Sequence, residues 1–214
     1  VGAGEYTFAK IEVDKGQINI EKGKATFDDV TLNDGTAMHN DGEAVVKSLS
    51  IASGTATMTG AFDITNLQGN AGTALEIGSD EKRGDLTLGK DSKLNGMTLF
   101  LDPTWETGMT VADASRLIYQ NTEVDGKIVA GHNSYVVLGG DSDAELRAVF
   151  DKQLTWGDTG ALAAAYVAKP ITINSTNGAL YVDSSLTSVP GSVVTGSVVF
   201  GDKSVLVANV TDLT

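Results

Sequence analysis

The residues able to do covalent or metal chemistry are few in this chain. There is no cysteine, which removes thiolate nucleophiles, disulfides and Cys-based metal sites together. The two histidines, His39 and His132, lie 93 positions apart in turn-like text, so a catalytic or zinc-binding pair requires that the fold stack distant segments. The expectation is two ordinary residues at or near the surface. Serines are abundant, but no G-x-S-x-G precedes a helical pattern, so a nucleophile elbow is not expected. Carboxylates gather in the turns, at Asp28/Asp29, Asp34, Asp41, Asp80/Glu81 and Asp141/Asp143. A pair of acids can work as acid and base across a glycosidic bond, with cations holding uronate groups. The arginines are Arg83, Arg116 and Arg147, and none falls near two acids at a repeat step, so the acids read as solvated turn charges. Calcium held between two acidic turns is the remaining metal chemistry. Gly139-Gly140-Asp141-Ser142-Asp143 is like a calcium-roll repeat but occurs once, and reads better as a helix N-terminus. No catalytic, cofactor-binding or metal-ligating residue is assigned on this reading, no cofactor is expected, and no binding residue is singled out.

The elements that must carry these residues are legible as a repeat. Gly16, Gly35 and Gly54 are spaced by 19 residues, as are Gly23 and Gly42. Apolar columns follow the same step: Ile11/Val30/Leu49, Val13/Leu32/Ile51 and Phe8/Phe27/Val46. Ile18/Ala37/Ala56/Leu75 reads as a fourth column, and Ile20/His39/Met58/Ile77 as a fifth that His39 breaks unless Met38 takes the inward place. Within each period the apolar residues alternate over short stretches, which is the signature of strands. Between them stand Asp14-Lys15-Gly16, Glu21-Lys22-Gly23, Asn33-Asp34-Gly35 and Asn40-Asp41-Gly42, which supply sharp turns. Such turns also suit antiparallel hairpins, but a hairpin meander mirrors neighbouring strands and has no reason to keep columns in one order at a fixed step. A coil of short strands does. The fold expected is therefore all-β, one domain over residues 1–214, coiled as a β-solenoid of about 19–21 residues per rung.

A second pattern, G-x4-G-x2-S, occurs at Gly84–Ser92, Gly126–Ser134 and Gly196–Ser204, and predicts one recurring corner of the coil. The stretch 142–168 reads differently. Ser142-Asp143-Ala144-Glu145 is a capping box ahead of Leu146, Val149, Phe150 and Leu154 at helical spacing. The alanine-rich run from Thr159 to Ala168, stopped by Pro170, predicts a second short helix. A looser insertion covers Asp102–Arg116. Trp105 and Trp156 stand outside the repeat columns and read as packing anchors for the helical excursion, with sugar platforms or partner anchors as the alternative. Thr55-Ala56-Thr57-Met58-Thr59 has the look of an ice-binding threonine ladder, but a single copy reads as ordinary strand threonine.

Composition narrows the function classes. Of the 214 residues 41% are hydrophobic, enough for a sizeable core, and 28 acidic against 15 basic residues leave a net charge of −13. That sign is wrong for neutralising nucleic-acid phosphates or anionic lipid, so no nucleic acid and no direct membrane insertion are expected. The absence of an initiator Met predicts a processed chain or an excised fragment, and neither end reads as a solenoid cap.

On these columns, on Gly196–Asn209, and on Phe100–Trp105, Val124–Ser134, Leu154–Gly157 and Lys169–Ile173, the chain resembles the passenger domains of Gram-negative autotransporter (type V secretion) adhesins. The resemblance implies a right-handed parallel β-helix, export across the outer membrane, display at the bacterial cell surface, and a C-terminal barrel outside this segment. It carries no catalytic motif. The function expected is non-enzymatic adhesion between cells or to a host, with aggregation or biofilm formation. The partners expected are other copies of the chain or a surface protein or glycan. A polysaccharide-degrading β-helix, expected to show two acids and a base on adjacent rungs, and a passive stalk are the alternatives.

Overall fold

The computed structural model describes residues 1–79, 82–101, 115–130, 134–141, 163–167, 169, 171–174, 178–182, 198–200 and 205–208. Eighteen strands occur in it, all pairings are parallel, and no helix is present among the described residues. The strands are β1 Glu5–Val13, β2 Gly16–Ile20, β3 Lys24–Leu32, β4 Thr36–Asn40, β5 Glu43–Ile51, β6 Thr55–Gln68, β7 Ala74–Ile77, β8 Gly84–Leu88 and β9 Thr98–Leu101. They continue as β10 Ser115–Tyr119, β11 Glu123–Val124, β12 Lys127–Ala130, β13 Ser134–Leu138, β14 Ala163–Val167, β15 Ile171–Ile173, β16 Ala179–Val182, β17 Val198–Phe200 and β18 Val205–Ala208.

Each lap of chain lies over the preceding one, which makes a parallel β-helix with three faces. The long strands β1, β3 and β5 bend once and serve two faces: their pairing skips Ala9, Asp28 and Lys47 at the bend. Face 1 stacks the first halves of β1, β3 and β5, then the second half of β6, then β8, β10, β13 and β14. Face 2 carries the second halves of the long strands and later β11, β15 and β17. Face 3 stacks β2, β4, the first half of β6, β7, β9, β12, β16 and β18.

The core is made of apolar columns sent inward from all three faces. On face 1 Phe8, Phe27, Val46, Ile64, Leu88, Tyr119 and Leu138 stack in register, with the Phe8 and Phe27 rings 5.1 Å apart. On face 2 Ile11, Val30 and Leu49 stack as the 19-residue step predicts, and Leu67 continues the column after 18 residues. Burying one such side chain contributes about 1.5–3 kcal/mol, and since each lap contacts only its neighbours, stability comes from stacking laps.

Face 3 departs from the predicted columns. Ile18 pairs with Met38, Met38 with Met58 and Met58 with Ile77, so Met38 takes the inward place and His39 points out. Ala37 is outside and half-buried, and Ile20 stacks on Asn40 and Asn40 on Gly60. The step here is 20 residues because the corner entering face 3 lengthens by one residue per lap, while the corner leaving it shortens by one residue and then by two. A single-residue slip flips a strand inside out, so the register follows burial of the two methionines and not the constant step. The shortening ends in β6, where the corner disappears and Gly60 alone makes the bend. Its φ is +87°, and a Cβ there would run into the Asn40 carbonyl. Asn40, 3% exposed, faces inward and ties the corner together: its Nδ2 donates to the Ala61 and Gly42 carbonyls and its Oδ1 accepts the Gly42 N–H at 2.9 Å.

Two further expectations are corrected. The three G-x4-G-x2-S segments sit at three different corners. Gly84–Ser92 begins with β8 on face 1, the second segment holds β12 on face 3 and meets β13 on face 1, and the described part of the third is β17 on face 2, with β18 on face 3 the next strand. The pattern encodes a strand, a turn and a strand, and the corner it occupies is set by the register of the whole coil. In the first copy Ser92 is fully buried and its Oγ accepts the Leu67 N–H at 3.0 Å. The second correction concerns the predicted helix at 159–168: Ala163–Val167 is the strand β14, paired in parallel with β13. Alanine favours helix only weakly, and the unpaired backbone of β13 imposes a strand on the next segment that lies beside it. The rest of the predicted excursion, residues 142–162, lies outside the described residues, as do Asp102–Ala114, Trp105, Trp156 and His132.

Candidate functional site

The sites that can be built from the described residues lie on the outer surfaces of the faces. Strand alternation sends every second side chain outward, and parallel stacking lines up outward residues a strand spacing of about 4.8 Å apart. On face 1 one outward column runs Thr26, Val45, Asp63, Thr87, Ile118 and Val137. A second runs Ala61, Asp85, Arg116 and Tyr135. Val45, Asp63, Thr87 and Ile118 of the first column and Ala61 and Asp85 of the second line a groove of about 820 Å³ that crosses the strands, lined also by Lys24, Glu43, Thr65, Gln120 and Asp141.

The outside of face 1 changes character along its length. At its N-terminal end the column residues are exposed or half-buried. Asp63 is exposed and Thr87 half-buried, whereas Ile118 is 3% exposed and Val137 and Tyr135 are fully buried although their positions face outward. These three stand apart from the continuous core, which includes their inward neighbours Leu117, Tyr119, Val136 and Leu138. Burial pushes the Tyr135 hydroxyl to higher pKa. Tyr119, inside the coil, is pushed up as well, by burial first and by the Asp125 charge second; its hydroxyl donates to the Ser92 carbonyl at 3.2 Å.

Two arginines converge on one acid in this groove. Arg116 pairs with Asp85 across adjacent strands, and Arg83 approaches the same carboxylate at 4.0 Å. The Arg116 and Asp85 side chains are 16% and 14% exposed, so the pair is fixed and partly desolvated. Asp63 lies one strand before Asp85 and two residues along, and Glu43 lines the groove one strand earlier still. Neither Asp63 nor Glu43 makes an ion pair among the described residues. Acids near an arginine do therefore meet on adjacent laps. The sequence reading missed them because Asp85 and Arg116 are 31 residues apart, far from the repeat step. The signal available was strand text alone, Gly84-Asp-Leu-Thr-Leu against Ser115-Arg-Leu-Ile-Tyr.

Face 3 holds a second polar groove, of about 580 Å³, around His39. Asn19, His39 and Thr59 form its outward column, and the His39 Nδ1 lies 2.8 Å from the Thr59 Oγ1. The Asp41 carboxylate is 2.9 Å from His39 Nε2. That contact holds the Asp41 carboxyl below its ordinary range, partial desolvation opposes it, and the Lys82 charge assists. Thr57, also outward, donates to Glu76 at 3.1 Å, while Ala56 and Met58 face in, so the threonine run behaves as strand text.

The other turn acids serve the corners. Asp28 pairs with Lys47 at 2.6 Å, and Asp34 Oδ1 accepts the Thr55 N–H at 2.9 Å. Asp14, Asn33 and Ser53 link three laps at one corner, through Asn33 Nδ2 to Asp14 at 2.9 Å and Ser53 Oγ to Asn33 at 3.3 Å. Among the described residues no three His, Asp or Glu side chains come together as metal ligands. Asp80, Glu81 and Asp143 lie outside the described residues. No family model, curated protein or solved structure matches the chain.

Proposed function

We propose that this chain is a non-enzymatic segment of a bacterial surface adhesin, exported through the outer membrane and acting in cell–cell or cell–host adhesion. The single observation that supports this reading is the groove of face 1. It runs across the strands of many laps and offers Thr, Asp, Lys and Gln side chains at a regular rise. A partner laid along such a groove gains many small contacts that add up, as adhesion between repetitive surfaces requires. The partner is another copy of the chain or a surface protein or glycan.

The test is display of the chain on cells that do not clump, followed by settling and surface-binding measurements with Val45→Arg and Asp63→Arg in the groove. Loss of adhesion in these variants with the fold retained is expected. Adhesion unchanged by both would overturn the groove as the contact surface.

A second reading is favoured by one specific observation. Asp63 and Asp85 stand on adjacent strands two residues out of line, which by sheet spacing sets their Cα atoms about 8 Å apart. Two carboxylates presented outward on adjacent strands, with arginines beside one of them, are the side-chain set that acid and base work across a glycosidic bond needs. Asp85 lies within reach of two guanidiniums, and Asp63 and Glu43 line the same groove. Release of reducing ends from a panel of polysaccharides, abolished in Asp63→Asn, would establish this reading; no release from any of them would remove it.

A further inference from the structure

The register slip of face 3 leaves a mark on the outer surface. With Met38 in the inward place, Ala37 stands outward in the column Gln17, Ala37, Thr57, and His39 in the column Asn19, His39, Thr59. Ala37 is half-buried and carries a single methyl, whereas Gln17 and Thr57, on the laps to either side, carry larger polar side chains. Their strands are two spacings apart, about 9.6 Å. The middle lap is therefore a notch in the face 3 groove, floored by one methyl, bounded above and below by polar groups and along the strand by His39.

The groups around the notch fall into two sets. One set is fixed. His39 Nδ1 lies 2.8 Å from Thr59 Oγ1, its Nε2 lies 2.9 Å from Asp41 Oδ2 and 2.6 Å from the Lys82 ammonium, and the Thr57 hydroxyl donates to Glu76 at 3.1 Å. The other set is open. Gln17 and Asn19 are exposed, and among the described residues neither side-chain amide makes a hydrogen bond, nor does Asp41 Oδ1. Each amide offers a donor and an acceptor, and the carboxylate oxygen offers an acceptor alone.

These groups select a class of ligand. Ala37 is the one apolar side chain among the described residues lining the groove, so an apolar ligand gains little there. Asp41 and Glu21 outweigh Lys82 in charge, which disfavours an anion. The Asp41 charge is already met by the Lys82 ammonium at 3.5 Å, so a cation gains little as well. A sugar ring suits the same surface, because it has a C–H face for the methyl and a rim of hydroxyls that each donate and accept. We propose that the Ala37 notch binds one pyranose ring of a neutral glycan, with the ring over the Ala37 methyl and its hydroxyls held by Gln17, Asn19 and Asp41. The notch lies on a different face from the groove of face 1 and stands whichever partner that groove takes.

The test is amide NMR of the intact chain titrated with methyl glucoside, methyl galactoside, methyl mannoside and N-acetylglucosamine. At least one of them is expected to move the Gln17, Ala37 and Thr57 signals and to saturate at millimolar concentration. The uronic acid of the sugar that binds should bind more weakly. Ala37→Leu fills the notch and should weaken binding about tenfold or more. Gln17→Ala, at an exposed position that leaves the fold intact, should weaken it several-fold. No shift of these signals with any of the four sugars, an affinity unchanged in Gln17→Ala, or a uronic acid that binds as tightly as its neutral sugar would overturn the assignment. Shifts at Val45 and Asp63 in place of Ala37 would overturn it too, by moving the sugar to face 1.

Discussion

The laps built from β1 to β7 and those built from β8 onward obey the same stacking rule with different chain lengths. In the first region paired residues are separated by a near-constant step, 19 residues from Glu5 to Lys24 and 20 from Gly16 to Thr36. In the second the separation is 24 residues from Gly60 to Gly84, 31 from Asp85 to Arg116 and 52 from Lys127 to Ala179. The columns nonetheless continue: Met58, Ile77, Leu101 and Ala130 stack as regularly as Ile18 and Met38 do. After each longer lap the next described strand resumes in register, because loop closure costs little while a slipped strand would turn its whole apolar set outward. The exteriors differ in consequence. The outward column of face 1 is half-buried at Val45 and Thr87 and exposed at Asp63, but buried at Ile118 and Val137.

The largest effect that would break this comparison comes from one substitution made at both ends of that column. Val137→Asp leaves an uncompensated charge at a fully buried position and should cost about 3–5 kcal/mol in urea unfolding. Val45→Asp, at the half-buried end, should stay within about 0.5 kcal/mol. Equal costs would mean that the two exteriors do not differ. Next in size is Asn40→Ala, which strips the hydrogen bonds that tie the vanishing corner of face 3. A loss of about 1–3 kcal/mol in unfolding free energy is expected.

Corner insertions sharpen the point at smaller magnitude. Six Gly/Ser residues placed between Lys90 and Asp91 should cost under about 1 kcal/mol, since the later corners already vary in length. The same insert between Asp34 and Gly35 should cost more, because there Asp34 holds the Thr55 N–H and Asn33 bridges to Asp14 and Ser53. Thermal melting of the two variants side by side decides it. The smallest effect is electrostatic. Asp41, its pKa lowered chiefly by the His39 hydrogen bond, contributes stability above the ordinary carboxylate pKa of about 3.9 and loses it as pH falls through the lowered value. The difference in urea midpoint between the native chain and Asp41→Asn should therefore be visible at neutral pH and vanish in acid.

The early columns show how far residues alone carry the argument. Phe8/Phe27/Val46 and Ile11/Val30/Leu49 are stacked as their spacing indicates, since identical strand lengths leave only one register that buries them. Face 3 resisted the same reasoning. Ala37 and Met38 are both apolar, and only the corner geometry decides which of them faces in. The pairing of Asp85 with Arg83 and Arg116 was less legible still, because its partners belong to laps whose lengths no periodicity announces.

The sequence by itself determined a coil of parallel strands, a cysteine-free and acidic exterior, and the order of side chains along each early column. Periodic burial and turn residues act locally, so they can be read in one dimension. Tertiary structure alone decided the slip that brings Met38 inside and sets His39 beside Asp41 and Lys82. It likewise decided the corner each glycine motif occupies, the strand fate of Ala163–Val167, and the outward residues that lie dry. Those outcomes depend on which lap a segment lands against, and a backbone edge accepts any strand whose hydrogen bonds and burial it can complete.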